Sequence, residues 1–412
     1  MEIKLYDDYL EKFNKLKSQN FSLDMSRGKP SAEQLNLSSD LLTILQNDDC
    51  IIEENNQTID CRNYGGLDGI LPMKKMFANL FGVSSEEVLV GGNSSLTLMY
   101  DSLVLYGLSE SAFPKSQLKI LCPSPGYDRH FLMSEYLGLT MIPINMTQDG
   151  PDISQIKEYI ADPAVIGIWC VPVFSNPQGI TYSDKIIDQL AALKPATANF
   201  KILWDNAYII HSFDGEPPKT LNLLRTAEKY GNYDIPIMFT SFSKITFPGA
   251  GVSAMAASEK NLAKMRQNIS FKTVGPDKIN QLRHVKFFEQ TDIFQHMKKH
   301  GEILAAKFNV VLQTLTENFA DNPNWANWIV PKGGYFVSVD VPAGCAKRTV
   351  ELCKQVGLML TPAGATFPYG NDPLDQNIRL APSFPSVDEL KIAMEVFCTA
   401  VKVAALERVI KK

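Results

Sequence analysis

Phe239-Thr-Ser-Phe-Ser-Lys-Ile-Thr-Phe-Pro-Gly-Ala-Gly251 sets one lysine, Lys244, among small hydroxyls and glycines just beyond the apolar run Ile235-Pro-Ile-Met-Phe239. A run that is apolar at successive positions reads as a strand covered on both faces, as in a parallel sheet. An amine held partly desolvated at the end of such a strand has a lowered pKa and attacks carbonyl carbons. Taken alone, Lys244 also reads as an ordinary surface lysine after a strand, and the rest of the chain has to decide between the two.

Working outward, the same kind of run recurs at Val88-Leu-Val90, Lys119-Ile-Leu-Cys122, Thr140-Met-Ile-Pro-Ile144, Val165-Ile-Gly-Ile-Trp-Cys-Val171, Lys201-Ile-Leu-Trp204 and Ser253-Ala-Met-Ala256. Helical patterns at Leu96 to Leu108, Tyr127 to Leu137, Ile153 to Ile160 and Asp184 to Leu193 supply the crossovers between them. The spacing predicts an α/β fold with a large domain around a mostly parallel seven-stranded sheet. The proline-free amphipathic stretch Ile293 to Phe319 leads out of it. Tyr335-Phe-Val-Ser-Val-Asp-Val341, Leu358-Met-Leu360 and Ile378-Arg-Leu380 follow as strands of a smaller α+β domain. The expected division is 1–47 as the N-terminal part of the small domain, 48–300 as the large domain and 301–412 as the C-terminal small domain.

A chain of 412 residues exceeds the roughly 150 residues of a typical domain, which agrees with more than one unit. With 45% hydrophobic and 21% charged residues and a net charge of −5, it has the balance of an ordinary soluble globular protein and no basic surplus for nucleic acid. The N-terminus Met1-Glu-Ile-Lys-Leu-Tyr-Asp-Asp8 shows no charged leader with an apolar core, and no apolar run approaches the roughly 18 residues of a membrane span. A cytoplasmic protein without membrane contact is expected. Seven cysteines are scattered without a CxxC pair, and five histidines form no HExxH pattern, so neither a disulfide framework nor a metal site is expected.

Further candidates sit at the ends of these runs. Asp205 closes Lys201-Ile-Leu-Trp-Asp205, where a carboxylate is costly unless a cation meets it, and a protonated pyridine nitrogen is such a cation. A strand-end Asp capping the next element is the alternative. Tyr208 follows three residues on, with a phenol to offer to a ring oxygen. Val171-Pro-Val-Phe-Ser-Asn-Pro-Gln-Gly179 puts Asn176 in a turn after another buried strand, at the edge where open α/β sheets bind ligands. Gly91-Gly-Asn-Ser-Ser95 joins a strand to a helix, so free N–H groups, the helix dipole and the hydroxyls of Ser94 and Ser95 make a candidate phosphate cradle. Ser241 and Ser243 extend it or bond the strand end. Arg379 lies inside the apolar pattern Asn377-Ile-Arg-Leu-Ala-Pro382 and needs an anion, either a ligand carboxylate or an internal acidic side chain. Together, a desolvated lysine, a carboxylate for a pyridinium and a phosphate cradle point to pyridoxal phosphate.

The order and spacing of Asn-Pro-x-Gly, Asp-x-x-Tyr, Ser-x-Ser-Lys and the late arginine resemble the fold-type I pyridoxal phosphate enzymes, and over nearly the whole chain the class I/II aminotransferases. Ser26-Arg-Gly-Lys-Pro30, Asn63-Tyr-Gly-Gly-Leu-Asp-Gly69, Cys122-Pro-Ser-Pro-Gly-Tyr-Asp-Arg-His130, Ser243-Lys-Ile-Thr246 and Thr361-Pro-Ala-Gly-Ala-Thr-Phe-Pro-Tyr369 look like the MocR-type subgroup with its subclass Ic aspartate aminotransferases. The resemblance implies that Lys244 is the Schiff-base lysine and proton shuttle, Asp205 the pyridinium partner, and Asn176 and Tyr208 the contacts of the ring 3-oxygen. It implies Tyr127 stacked on the ring, Ser94, Ser95, Ser241 and Ser243 on the phosphate, and Arg379 on the substrate α-carboxylate, with Gly28 and Lys29 in the substrate region. Tyr64 matches a tyrosine that reaches the cofactor phosphate of a neighbouring subunit, which implies a homodimer. The usual phosphate arginine is absent, since the corresponding position is Val252 within Gly249-Ala-Gly-Val-Ser253.

The resulting expectation is amino transfer between an L-amino acid, foremost aspartate, and a 2-oxo acid, foremost 2-oxoglutarate. A lyase or decarboxylase on the same fold is one rival, because small pocket differences choose the bond broken. A cofactor-sensing regulator domain is another, opposed by the roughly 60 residues before Tyr64 that leave no room for a basic helix-turn-helix. A second substrate carboxylate needs a further cation, for which Arg27, Lys29, Arg129 and His130 are indistinguishable candidates.

Overall fold

The computed structural model describes residues 2–54, 56–109, 111–322 and 324–410. Eight strands form the main sheet: β1 (Val88–Val90), β2 (Lys119–Ser124), β3 (Thr140–Thr147), β4 (Gly150–Pro151), β5 (Val165–Cys170), β6 (Lys201–Asp205), β7 (Pro236–Ser241) and β8 (Ser253–Ala257). Their order is β1-β8-β7-β6-β5-β2-β3-β4. Strands β7, β6, β5, β2 and β3 run parallel, while β8 is antiparallel to both β7 and β1. All the expected apolar runs are strands. The eighth strand is a two-residue hairpin arm against β3, too short to leave a periodic signal.

Strands β5, β6, β7 and β8 are buried at every position, which explains their uninterrupted apolar reading. Two successive reversals, β7 to β8 and β8 to β1, return β1 to the direction of the parallel strands. The carboxyl ends of β1, β2, β5, β6 and β7 therefore open on one edge. There β1 leads into α2 (Ser95–Ser102), and β2 leads into α3 (Asp128–Tyr136).

A second layer of structure packs α1 (Glu2–Lys17) and the long α4 (Ile293–Phe319) against α5 (Ala346–Val356) and α6 (Val387–Ile410). Its three-stranded sheet is β9 (Asn327–Trp328), β10 (Val337–Asp340) and β11 (Asn377–Leu380), antiparallel throughout. Leu358–Met359 does not join it as the sequence spacing suggested. It pairs in parallel with Leu23–Asp24, tying the N-terminal region to the C-terminal one. Helix α4 bridges the two bodies, with Met297 in the apolar cluster of the sheet and Leu304, Phe308 and Val311 in the cluster around Val339, Leu380 and Phe397. No helix among the described residues is long and apolar enough to cross a membrane.

Gly301 lies where α4 crosses the sheet's edge loop. A Cβ there would stand 2.6 Å from the Ser212 carbonyl oxygen and 3.0 Å from that of Phe213. Alanine in a helix interior ordinarily gains up to about 1 kcal/mol over glycine. Here the overlap is with backbone, and Gly301→Ala is expected to destabilise by about 1–3 kcal/mol, as overpacking does. Urea unfolding checks it, and unchanged or increased stability contradicts the packing described.

Candidate active site

Nine of the sequence-derived candidates, Ser94, Ser95, Tyr127, Asn176, Asp205, Tyr208, Ser241, Ser243 and Lys244, line one cavity at the carboxyl edge, together with Leu96, Val171 and Ala207. Asp205 is the last residue of β6 and lies beside Phe239 of β7, two residues before Ser241. Lys244 follows β7 directly, and its Nζ sits 5.0 Å from the centre of the Tyr208 ring. Burial pushes this amine below the ordinary lysine value of 10.5, while the charge of Asp205 pulls the other way. Its backbone is braced from beneath: the Tyr335 hydroxyl donates to the Lys244 carbonyl at 3.3 Å, and Gln34 Nε2 donates to Tyr335 at 3.0 Å.

Asp205 is buried to 3% exposure, and one of its oxygens is satisfied. His130 Nε2 lies 3.0 Å from Oδ2, whereas Oδ1 has no hydrogen-bond partner in the structure. His130 lies flat on Trp169, with centroids 4.1 Å apart and planes inclined by 5°, so the ring that holds Asp205 is itself clamped. His130 is thereby committed to a carboxylate inside the protein and is not a cation for a substrate side chain. The phenols of Tyr127 and Tyr208 are both pushed up, chiefly by burial, and remain neutral O–H donors through the physiological range.

Ser94 caps α2, its Oγ accepting from the Leu96 amide at 3.3 Å, and Ser95 opens the helix, so the helix N-terminus faces the cavity. Ser243 Oγ donates to the Asn93 carbonyl at 2.8 Å, joining the lysine loop to this turn. Val252 is buried core. A Cβ on the preceding Gly251 would lie 2.8–3.0 Å from Ser243 Oγ, Cα and N, so the chain passes close against the lysine loop here. Among the residues that line the cavity, Lys244 alone is cationic.

Arg379 projects from β11 and touches the cavity wall through Asn176. Its Nη1 donates to Asn176 Oδ1 at 3.2 Å and to Asp128 Oδ1 at 2.7 Å, and Nε and Nη2 donate to Thr361 Oγ1 at 3.3 and 3.2 Å. Its guanidinium lies 4.7 Å over the ring of Phe336. Gly28 packs beneath that ring, since a Cβ there would fall 2.5 Å from Phe336 Cζ. Lys29 is not brought into the cavity: its ammonium stands 3.6 Å over Phe384 and 3.8 Å from Asp24. Tyr64 lies outside as well, 86% exposed, on a loop held by Lys278, whose Nζ donates to the Asn63 and Gly65 carbonyls at 2.7 and 2.6 Å. Sequence reasoning missed the pairing of Asp128 with Arg379 and of His130 with Asp205. Neither has a local signal.

A mostly parallel sheet with a lysine and a carboxylate facing one another at its carboxyl edge, backed by a smaller domain, is the architecture of the fold-type I aminotransferases. The crystal structure of an aspartate transaminase from Corynebacterium glutamicum superposes with a TM-score of 0.94 at 42% identity, covering 99% of this chain and 97% of that one. At 19% identity the fold alone is shared with LysN, the α-aminoadipate aminotransferase of Thermus thermophilus, at a TM-score of 0.73 over 97% of this chain and 95% of that one. The family model described as aspartate amino-transferase matches residues 4–412. The chain belongs to that family and is an aminotransferase. The aspartate aminotransferase of C. glutamicum is 42% identical over 409 residues, 98% of this chain and 94% of the relative.

The direction of the Lys244 shift has a consequence for the ligand-free protein. With the folded value below 10.5, the unfolded chain binds more protons between the two, so this group's cost to folding is full below the lowered value and vanishes as pH rises to 10.5. Lys244→Met, similar in shape and uncharged, is expected to melt higher than wild type near neutrality, with the gap closing towards pH 10.5. Thermal scans of both ligand-free proteins across that range test this, and a gap that does not close with rising pH contradicts it.

Proposed function

We propose that this aminotransferase binds pyridoxal phosphate in the carboxyl-edge cavity and moves an amino group between aspartate and 2-oxoglutarate. The single observation that carries the cofactor is Asp205 Oδ1, a buried acceptor with no partner, which an aromatic N–H would satisfy. The serine-rich α2 N-terminus fits a phosphate at the other end. The substrate pair rests on the similarity to a relative named for aspartate over almost the full length of both chains. The motif blocks around Arg27, Tyr64, Tyr127, Lys244 and Thr361 further support a place in the MocR-type, subclass Ic group. We also read 1–47 and 301–412 as one small domain and 48–300 as the large one, in a cytoplasmic enzyme.

When bound, the cofactor supplies an aldehyde that captures amines and a ring that accepts the electrons released at the substrate α-carbon. The chain supplies the rest. Lys244, its amine depressed by burial, is unprotonated in more molecules near neutrality than a free lysine. Its Nζ would hold the cofactor and would serve as the base and acid that takes and returns the substrate α-proton. Asp205 Oδ1 would accept a pyridine N–H and stabilise its positive charge, while His130 on the other oxygen fixes the carboxylate's orientation. Asn176 turns its oxygen to Arg379, leaving its amide N–H for the ring oxygen beside the Tyr208 phenol. Tyr127 covers the ring face. Ser94, Ser95 and Ser241 would line the phosphate end with neutral donors, Ser243 borders it with its own hydrogen on the Asn93 carbonyl, and Arg379 would grip the α-carboxylate of every substrate. Gly28 then floors Arg379 through Phe336, while Lys29 stands off the cavity beside Phe384 and Asp24.

Lys244→Ala is expected to abolish transfer while the fold persists. Borohydride treatment of the cofactor-loaded enzyme followed by peptide mapping should mark Lys244, and a mark on another lysine removes the assignment. Steady transfer from aspartate to 2-oxoglutarate, compared across a panel of donors, distinguishes this reading from a lyase or a sensor that binds without turnover.

We also propose a homodimer in which Tyr64 serves the partner's site, supported by the exposure of its ring on an ordered loop outside the subunit's own cavity. Mixing inactive Tyr64→Phe and Lys244→Ala proteins under subunit exchange should then recover activity, because one site of each hybrid lacks both changes. Without recovery, Tyr64 serves its own subunit.

A further inference from the structure

Resting on the reading of Arg379 as the α-carboxylate site, we propose that Asp128 is a resident carboxylate that occupies this site in the free enzyme and is displaced by every substrate. A guanidinium has five N–H donors, and a bidentate grip takes two parallel ones from different nitrogens. Four are already engaged: two on Thr361 Oγ1, one on Asn176 and one on Asp128. Only one Nη2 hydrogen remains, so an incoming carboxylate must dislodge something.

Thr361 and Asn176 are poor candidates to leave. Thr361 is buried to 5% exposure, and its own hydroxyl hydrogen goes to the Ser26 carbonyl at 2.8 Å, which turns its lone pairs to Arg379. Asn176 is buried to 3% exposure and lines the cavity. Asp128 differs on both counts. Its side chain is 23% exposed, and it carries the same charge as the arriving group, so the two repel when both crowd Arg379. It also sits in the first turn of α3, where the helix dipole still favours its charge after it swings to solvent. The pair keeps a buried arginine neutralised between turnovers, and the substrate binds by exchange of one carboxylate for another. Each apparent affinity is lowered by the fraction of molecules in which the exchange site is closed.

The test uses the cofactor-loaded enzyme with Asp128→Asn, which keeps the shape and an acceptor but not the charge, Asp128→Glu, which keeps the charge, and Arg379→Ala. KM is measured for several amino donors and for the oxo acid, and calorimetry gives the dissociation constant of succinate, a dicarboxylate with no amine to transfer. Asp128→Asn is expected to lower every KM and the succinate constant about three- to tenfold, the factor for a site closed in roughly 70–90% of free molecules. Asp128→Glu should show no such gain. If Arg379→Ala raises all these constants while Asp128→Asn leaves them unchanged or raises them, Asp128 merely positions Arg379 and the displacement is overturned. The same holds if Asp128→Glu gains as much as Asp128→Asn. If Arg379→Ala leaves them all unchanged, the α-carboxylate reading falls and the displacement with it.

Discussion

A carboxylate buried at the end of a central strand, with one oxygen held and the other bare, is the constraint around which this protein is arranged. Burying an ionised Asp without full compensation costs several kcal/mol. His130 offsets part of that at Asp205 Oδ2, and Trp169 keeps His130 in place through a close stack. The remaining oxygen is a standing demand for a donor. The cavity on its far side, floored by a lysine and capped by a helix N-terminus, makes sense as the place where a ligand meets it.

Topology brings the other parts to the same edge. Strand β6 ends at Asp205, and β7 runs into the lysine turn beside it. The double reversal through β8 sends β1 to that edge as well, so that α2 begins where Ser243 reaches across to Asn93. The start of α3 serves three neighbours at once, since Tyr127 lines the cavity, Asp128 engages Arg379 and His130 engages Asp205. Asn176 then links the cavity to an arginine carried by a different sheet. A ligand that fills the cavity is thereby coupled through a single amide to Arg379.

What could be read in the sequence follows from locality. The apolar runs were legible because strands covered on both faces need no polar positions, and Lys244, Asp205 and Asn176 were legible because each closes or follows such a run. The cavity they form was legible too. Pairings between distant segments were not: His130 and Asp205 are 75 residues apart, and Asp128 and Arg379 are 251 apart. For Arg379 the sequence left open a ligand or an internal anion, and the structure holds an internal one on the very group proposed to bind the ligand. Two-residue strands such as Gly150–Pro151 and Leu23–Asp24 left no periodicity, and the partner of Leu358–Met359 is set by tertiary packing. The absence of an arginine at position 252 was visible in the sequence, but the burial of Val252 and the close approach of its neighbour Gly251 to Ser243 were not.

The most direct measurement is a crystal structure of the protein grown with pyridoxal phosphate. Density continuous with Lys244 Nζ, with the pyridine nitrogen within hydrogen-bond distance of Asp205 Oδ1 and the phosphate at the α2 N-terminus, is the expected result. A ring bound elsewhere, or bound in the cavity with its nitrogen turned away and Oδ1 still unpartnered, would contradict it.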